Sequence, residues 1–293
     1  MNTITKHSDN YEQFGIYKLF KFINVYKYED IQYKSYNVFY DTSLHQTNAD
    51  SDYYLILDTQ ASHALFHWVS ECMIFLPLYI ELKKQYPTLK IIFTEKAQYH
   101  SIILEYYNIL SSDILYKIEN NNNVCFFPLP ITALLNSDFD DDYILYANVF
   151  IDWLNNIHFD KTIDHLIMPR QILQNSLANP RTHNCKDIIS NMPNAIVFHT
   201  DQIKTFYDQH RLVKSSKIIM VTDGSAFVFN GLLAKDSTIL VLGDIICEQG
   251  RNSKKMQFYI DKITSQNNVI FIPYYHGDYH NCTFLYDDVK NYI

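Results

Sequence analysis

From about residue 160 onward, short β-branched runs alternate with stretches of helical periodicity, and this alternation constrains the fold more than any other feature. Strands are expected near His165–Met168, Ala195–Phe198, Lys217–Val221, Thr238–Leu242 and Val269–Ile272. Helices are expected between them, near Asn184–Asn191, Asp201–Lys214, Ser225–Ala234 and Lys254–Thr264. Strand, helix and strand in succession form the unit from which right-handed crossovers build a parallel sheet. The second half therefore reads as a doubly wound, Rossmann-like α/β domain.

The first half is less regular. Strands are expected at Tyr53–Leu57, Lys90–Phe93 and Val124–Phe127, with a long helix over His63–Lys84 and another over Gln98–Asn108. A second α/β domain is the simplest reading, with residues 1–50 as its irregular or β-rich edge. The connection is expected around Asn136–Asp142, followed by a helix near Ile144–Ile157 and the polar His158–Lys161. This divides the chain into residues 1–158 and 159–293.

At 293 residues, 47% hydrophobic and 19% charged, the chain can bury one large core or two medium ones. No apolar run approaches the roughly 20 residues of a membrane span, and the first residues carry no secretory pattern, so a cytoplasmic location is expected. Five widely spaced cysteines without a C-x-x-C pair indicate neither a disulfide framework nor a zinc knuckle. A net charge of −8 and a pI near 5.8 argue against nucleic acid as the main partner, while a local basic cleft for a phosphate donor stays compatible.

The chemistry concentrates in the run Val221–Asn230, where the strand Lys217–Val221 leads through Gly224-Ser225 into a helix. A helix start directs unpaired N–H groups and a partial positive charge at whatever lies before it, and phosphate is a common guest. Ser225 acting as an N-cap would account for the same residues without a ligand. Arg170 follows the strand His165–Met168 by two residues, and Arg181 lies on the next loop. Ligands of open parallel sheets collect beyond the carboxyl ends of the strands, which is also where Asp223–Ser225 and Asp244 fall. Two guanidinium forks there would suit a diphosphate, although either arginine alone could make a surface salt bridge.

Along the helix His63–Lys84 the apolar residues point almost everywhere, so burial on several sides is expected. His63, His67 and Glu71 share one face at i, i+4 and i+8. They read as a general base with its orienting partner, as metal ligands, or as a core histidine satisfied by Glu71. The zinc-protease pattern is missing, since no glutamate separates the histidines and no Cys or third His lies at a supporting interval. Pro77 must kink the helix or sit where its backbone bond is already lost. The acidic run Asp138–Asp142 contains a D-x-D, a spacing that can hold a divalent metal, but reads as helix capping and a solvated loop, and His276–His280 reads as a polar loop rather than a metal pair and could border the cleft.

Together, the blocks His67-Trp68-x-x-Glu71 with Leu76-Pro77-Leu78, Pro169-Arg170 with Arg181 and Asn184, and Asp201-Gln202-Ile203 with Phe206, Lys217–Val221, Gly224-Ser225-Ala226 and Asn230 resemble glycosyltransferase family 61 as a divergent member. The sequence departs from the family pattern at Asp223, where histidine is usual, and at Gln171, where a second arginine is common. The resemblance implies two Rossmann-like domains facing a cleft, the B type of glycosyltransferase, with an inverting reaction and no obligatory metal or cofactor. The nucleotide sugar would be held by Arg170, Arg181, Gly224, Ser225, Ala226 and Asn230 of the C-terminal domain. A glycan or glycolipid acceptor would face the N-terminal domain, with His67, Glu71 or Asp223 as the base. Surface polysaccharide or lipooligosaccharide synthesis at the inner membrane face is the expected setting, and peripheral membrane association and homo-oligomerisation stay open. The alternatives are a transferase using a CMP-sugar and a non-catalytic subunit that binds sugar nucleotides.

Overall fold

A computed structural model describes residues 24–27, 53–56, 68, 70, 72–92, 104, 108–115, 124–127, 141–169, 182–199, 206–246, 253–278 and 280–293. The chain forms two compact units, Met1–Trp153 and Leu154–Ile293. The division falls in the last turn of a helix, a few residues before the expected 158/159 boundary.

The first unit contains β1 (Asn24–Lys27), β2 (Tyr53–Ile56), α1 (Leu76–Gln85), β3 (Lys90–Ile92), β4 (Ile114–Leu115), β5 (Val124–Phe127) and α2 (Asp141–Asn155), which ends across the division. Its strands make one sheet in the order β1-β5-β2-β3-β4. The β2–β3, β2–β5 and β3–β4 pairs are parallel, whereas β1 runs antiparallel to β5 at the edge. Strand β1 at this edge comes from the first fifty residues, the rest of which lie outside the described residues. The helix expected at Gln98–Asn108 lies mostly outside the described residues.

The expected helix His63–Lys84 does not run as one α-helix. The Cys72 N–H bonds the Trp68 carbonyl four residues back, but the Phe75 and Leu76 N–H groups bond Cys72 and Met73, each three residues back. This tight turn, Met73–Phe75, ends where α1 begins, with Pro77 in its first turn. Proline has no N–H to give, so the break falls where a missing donor costs least. The expected burial holds, since Trp68, Cys72, Met73, Ile74, Phe75 and Leu76 are all buried.

The second unit contains β6 (Ile163–Met168), β7 (Thr182–Asn184), α3 (Lys186–Asn191), β8 (Ile196–Val197), α4 (Phe206–Ser215), β9 (Ser216–Thr222), α5 (Ser225–Leu233), β10 (Thr238–Leu242), α6 (Lys254–Gln266), β11 (Asn268–Ile272), β12 (Asn281–Thr283) and α7 (Tyr286–Val289). Five of these strands form a wholly parallel sheet in the order β11-β10-β9-β6-β8. Strands β12 and β7 make a separate parallel pair that the sequence pattern did not reveal.

Successive strand residues point to opposite faces of the sheet. Ile167, Met220, Leu240, Leu242 and Ile272 cluster with Ile188 of α3, Met192 just after it, Phe284, and Val289 of α7. The alternate residues Leu166, Ile219, Val221, Ile239 and Val241 are also buried, and α4, α5 and α6 contact one another in chain order. Both faces are covered, which is why the strands read as continuous apolar runs. Helix α4 buries Phe206, Gln209, His210, Val213 and Lys214, the three-and-four spacing of an inward face. Ser253 caps α6 by accepting from the Met256 N–H at 3.3 Å.

Two lysines fasten the amino-terminal end of this sheet. Lys161 Nζ donates to the Ser216 carbonyl at 2.9 Å and to Ser237 Oγ at 2.6 Å, and Lys214 Nζ donates to the Leu154 carbonyl at 2.6 Å. Burial lowers each to a pKa of about 8; repulsion from Lys235 and Lys161 also acts on Lys214, and Asp236 opposes the shift at both.

Candidate functional site

The candidate site follows from strand order. From β6 the chain moves outward to β8, whereas from β9 it moves the other way, to β10 and β11. Adjacent strands whose connections diverge leave a crevice at their carboxyl ends, where ligands of such sheets bind. Met168-Pro169 closes β6, and Thr222-Asp223-Gly224 closes β9 on that crevice.

Helix α5 begins directly there. Gly224 is its N-cap, with φ 99° and ψ −146°, a conformation essentially reserved for glycine. Ser225 is the first helical residue and is exposed, so the alternative in which it serves as the N-cap does not hold. Gly224 brings no side chain to cap the helix, and its first turn holds no acidic residue. The first backbone bond into the helix runs from the Val228 N–H to the Gly224 carbonyl at 3.2 Å. The N–H groups of Ser225, Ala226 and Phe227 precede it and have no intrahelical acceptor. This end of the helix carries the positive end of the dipole, so the arrangement favours an anion.

Asp223 lies beneath the turn. It has 0% of its surface exposed, and its Oδ2 accepts from Tyr274 Oη at 3.0 Å and from the Ile246 N–H at 3.3 Å. Its Oδ1 has no hydrogen-bond partner. Burial pushes the carboxyl above the ordinary range, while the Tyr274 hydroxyl and the backbone N–H groups of Ile246, Gly224 and Ile245 draw it back. A base must reach the proton it removes. An enclosed carboxylate tied to Tyr274 and Ile246 braces the turn instead.

Gly243, at the end of β10, makes this bracing possible. A Cβ there would lie 2.3 Å from Tyr274 Oη and 2.8 Å from Asp223 Cβ, and its φ of +117° also calls for glycine. The ends of β9, β10 and β11 are thereby tied together. Asp244, half-buried, follows Gly243 at the same edge.

Asn230, expected to help hold the donor, is engaged in hydrogen bonds within the fold. It is buried, accepts from Gln209 Nε2 at 2.8 Å, and donates through Nδ2 to the Ala226 carbonyl at 2.8 Å. Its amide joins α4 to α5 one helical turn or more beyond the anion end. His67, Glu71, Arg170 and Arg181 lie outside the described residues, although Pro169, immediately before Arg170, closes β6 beside the crevice.

Two residues at this edge were not identified from sequence. His199 follows β8, whose pairing with β6 is continued by a 2.8 Å bond from the Phe198 N–H to the Ile167 carbonyl, and its Nδ1 is buried without a hydrogen-bond partner. The only sequence signal for it was its place just after an expected strand. Tyr274 had no local signal, because its partner is 51 residues away.

Among the described residues, no group of three or more His, Cys, Asp or Glu is arranged to hold a metal ion, and no helix is long and apolar enough to cross a membrane. The sequence matches no protein-family model and no curated protein.

Proposed function

We propose that the second unit binds the diphosphate of a nucleotide sugar and that the protein is an inverting glycosyltransferase of the B type, with two Rossmann-like domains. The observation that carries the reading is the uncapped start of α5 at the switch point of a parallel sheet, set by Gly224 and braced by Asp223. Ser225, Ala226 and Phe227 offer N–H groups where negative charge grows on a departing diphosphate, and such preorganised donors contribute strongly to lowering a barrier. In this reading Arg170 and Arg181 add guanidinium charge. The first unit faces the glycan acceptor and supplies the base from His67 or Glu71, because Asp223 is enclosed.

Calorimetric titration with UDP, GDP and CMP, followed by an assay for sugar transfer or donor hydrolysis, tests the proposal. A nucleoside diphosphate is expected to bind and to raise the melting temperature. Binding of none of these nucleotides would overturn the donor site, and transfer that survives both Arg170→Ala and Glu71→Ala would overturn the assigned residues.

A further inference from the structure

We propose that Tyr275 is the stacking platform for the nucleobase of a nucleoside diphosphate whose phosphates sit at the start of α5, an inference that rests on the proposed donor site. Tyr275 is 64% exposed, on the loop that leaves the carboxyl end of β11. Its neighbour Tyr274 reaches back past Gly243 to Asp223, the residue before the Gly224 N-cap. β11 lies two strands from β9, which at ordinary strand spacing is about 10 Å. Tyr275 is thus displaced sideways from the phosphate seat, along the edge where ligands of this sheet collect.

The loop carrying it is braced. The Tyr275 N–H bonds the Pro273 carbonyl at 2.9 Å, the Thr283 N–H bonds the His276 carbonyl at 3.1 Å, and the Asp278 N–H bonds the Asn281 carbonyl at 3.0 Å. Asp278 Oδ1 accepts from the backbone N–H groups of His280 at 2.8 Å and Asn281 at 2.9 Å. His276 lies edge-on to the Tyr275 ring, with centroids 6.5 Å apart, and its Nε2 lies 3.4 Å from Asp288 Oδ1. A large ring held in water on a fixed loop gives up little freedom on binding. The chemistry it suits is a flat π-face, and stacking accepts any base because every base has one.

The test compares wild type, Tyr275→Ala and Tyr275→Phe in titrations with UDP, GDP and inorganic pyrophosphate. Tyr275→Ala is expected to weaken the nucleotides by about ten-fold or more while leaving pyrophosphate unchanged, and Tyr275→Phe, which keeps the ring, is expected to retain them. Undiminished nucleotide binding by Tyr275→Ala would overturn the platform and leave the donor site standing. An equal loss for pyrophosphate would also overturn it, by showing that the ring acts through loop structure. If wild type bound neither nucleotide nor pyrophosphate, the donor site would fail, and the platform with it.

Discussion

Tyr274 Oη donates to Asp223 Oδ2 at 3.0 Å, joining the end of β11 to the end of β9 across β10. The bond passes over Gly243, where a Cβ would lie 2.3 Å from the phenol oxygen. Gly243→Ala is therefore expected to cost about 2 kcal/mol or more, from a strained backbone and a displaced tyrosine. Tyr274→Phe, which leaves one acceptor short of a donor, is expected to cost about 1–3 kcal/mol. Urea unfolding of the single and double variants should show non-additive losses, because both changes remove the same bond; simple additivity would contradict the arrangement.

Asp223 predicts a pH dependence of stability. Its folded pKa lies above the ordinary 3.8, so the folded state holds its proton more tightly than the unfolded chain. The associated stability is fully present below about 3.8 and is lost as pH rises through the higher folded value. Asp223→Asn keeps an acceptor for Tyr274 and Ile246 but has no such titration. Across that window, wild type is expected to lose stability relative to Asp223→Asn, and a constant difference would refute the enclosed carboxyl.

Lys161 and Lys214 act in the opposite sense. Each falls from an ordinary 10.5 to about 8 in the fold, so between these values the unfolded chain binds more protons. Their contribution is complete above 10.5 and is lost as pH falls through about 8. Unfolding measured from pH 7.5 to 10.5 should show this component rising with pH in wild type and reduced in Lys161→Met and in Lys214→Met.

Asn230 separates a packing role from a ligand role. Asn230→Leu leaves the Gln209 amide facing an apolar side chain, with an expected cost of about 1–3 kcal/mol. Nucleotide affinity of the remaining folded protein should be unchanged. A variant of native stability that loses nucleotide binding would return Asn230 to the ligand site.

The repeating β and α pattern of the second unit was legible because its central strands are covered on both faces, so β6, β9 and β10 read as apolar runs bounded by polar residues. Thr238–Leu242 matches its expected bounds, and Lys217–Val221 gains one residue at each end. Strands β4, β7 and β12 have only two or three residues, too short for a period to show. The turn at Gly224 was legible as a helix start, but the choice of Gly224 over Ser225 as N-cap depends on backbone angles that no side-chain pattern encodes.

The sequence by itself determined two α/β units, the parallel strands of the second and a polar turn ahead of a buried helix, because hydrophobic periodicity and glycine placement are local properties of the chain. Tertiary structure alone decided which strands are neighbours, and hence that the chain leaves the paired strands β6 and β9 in opposite directions along the sheet. It also turned Asp223 inward to Tyr274 and committed Asn230 to Gln209. Those pairings join residues far apart in the chain, and a carboxylate or an amide has the same composition whether it meets solvent, a ligand or the side chain of a distant strand.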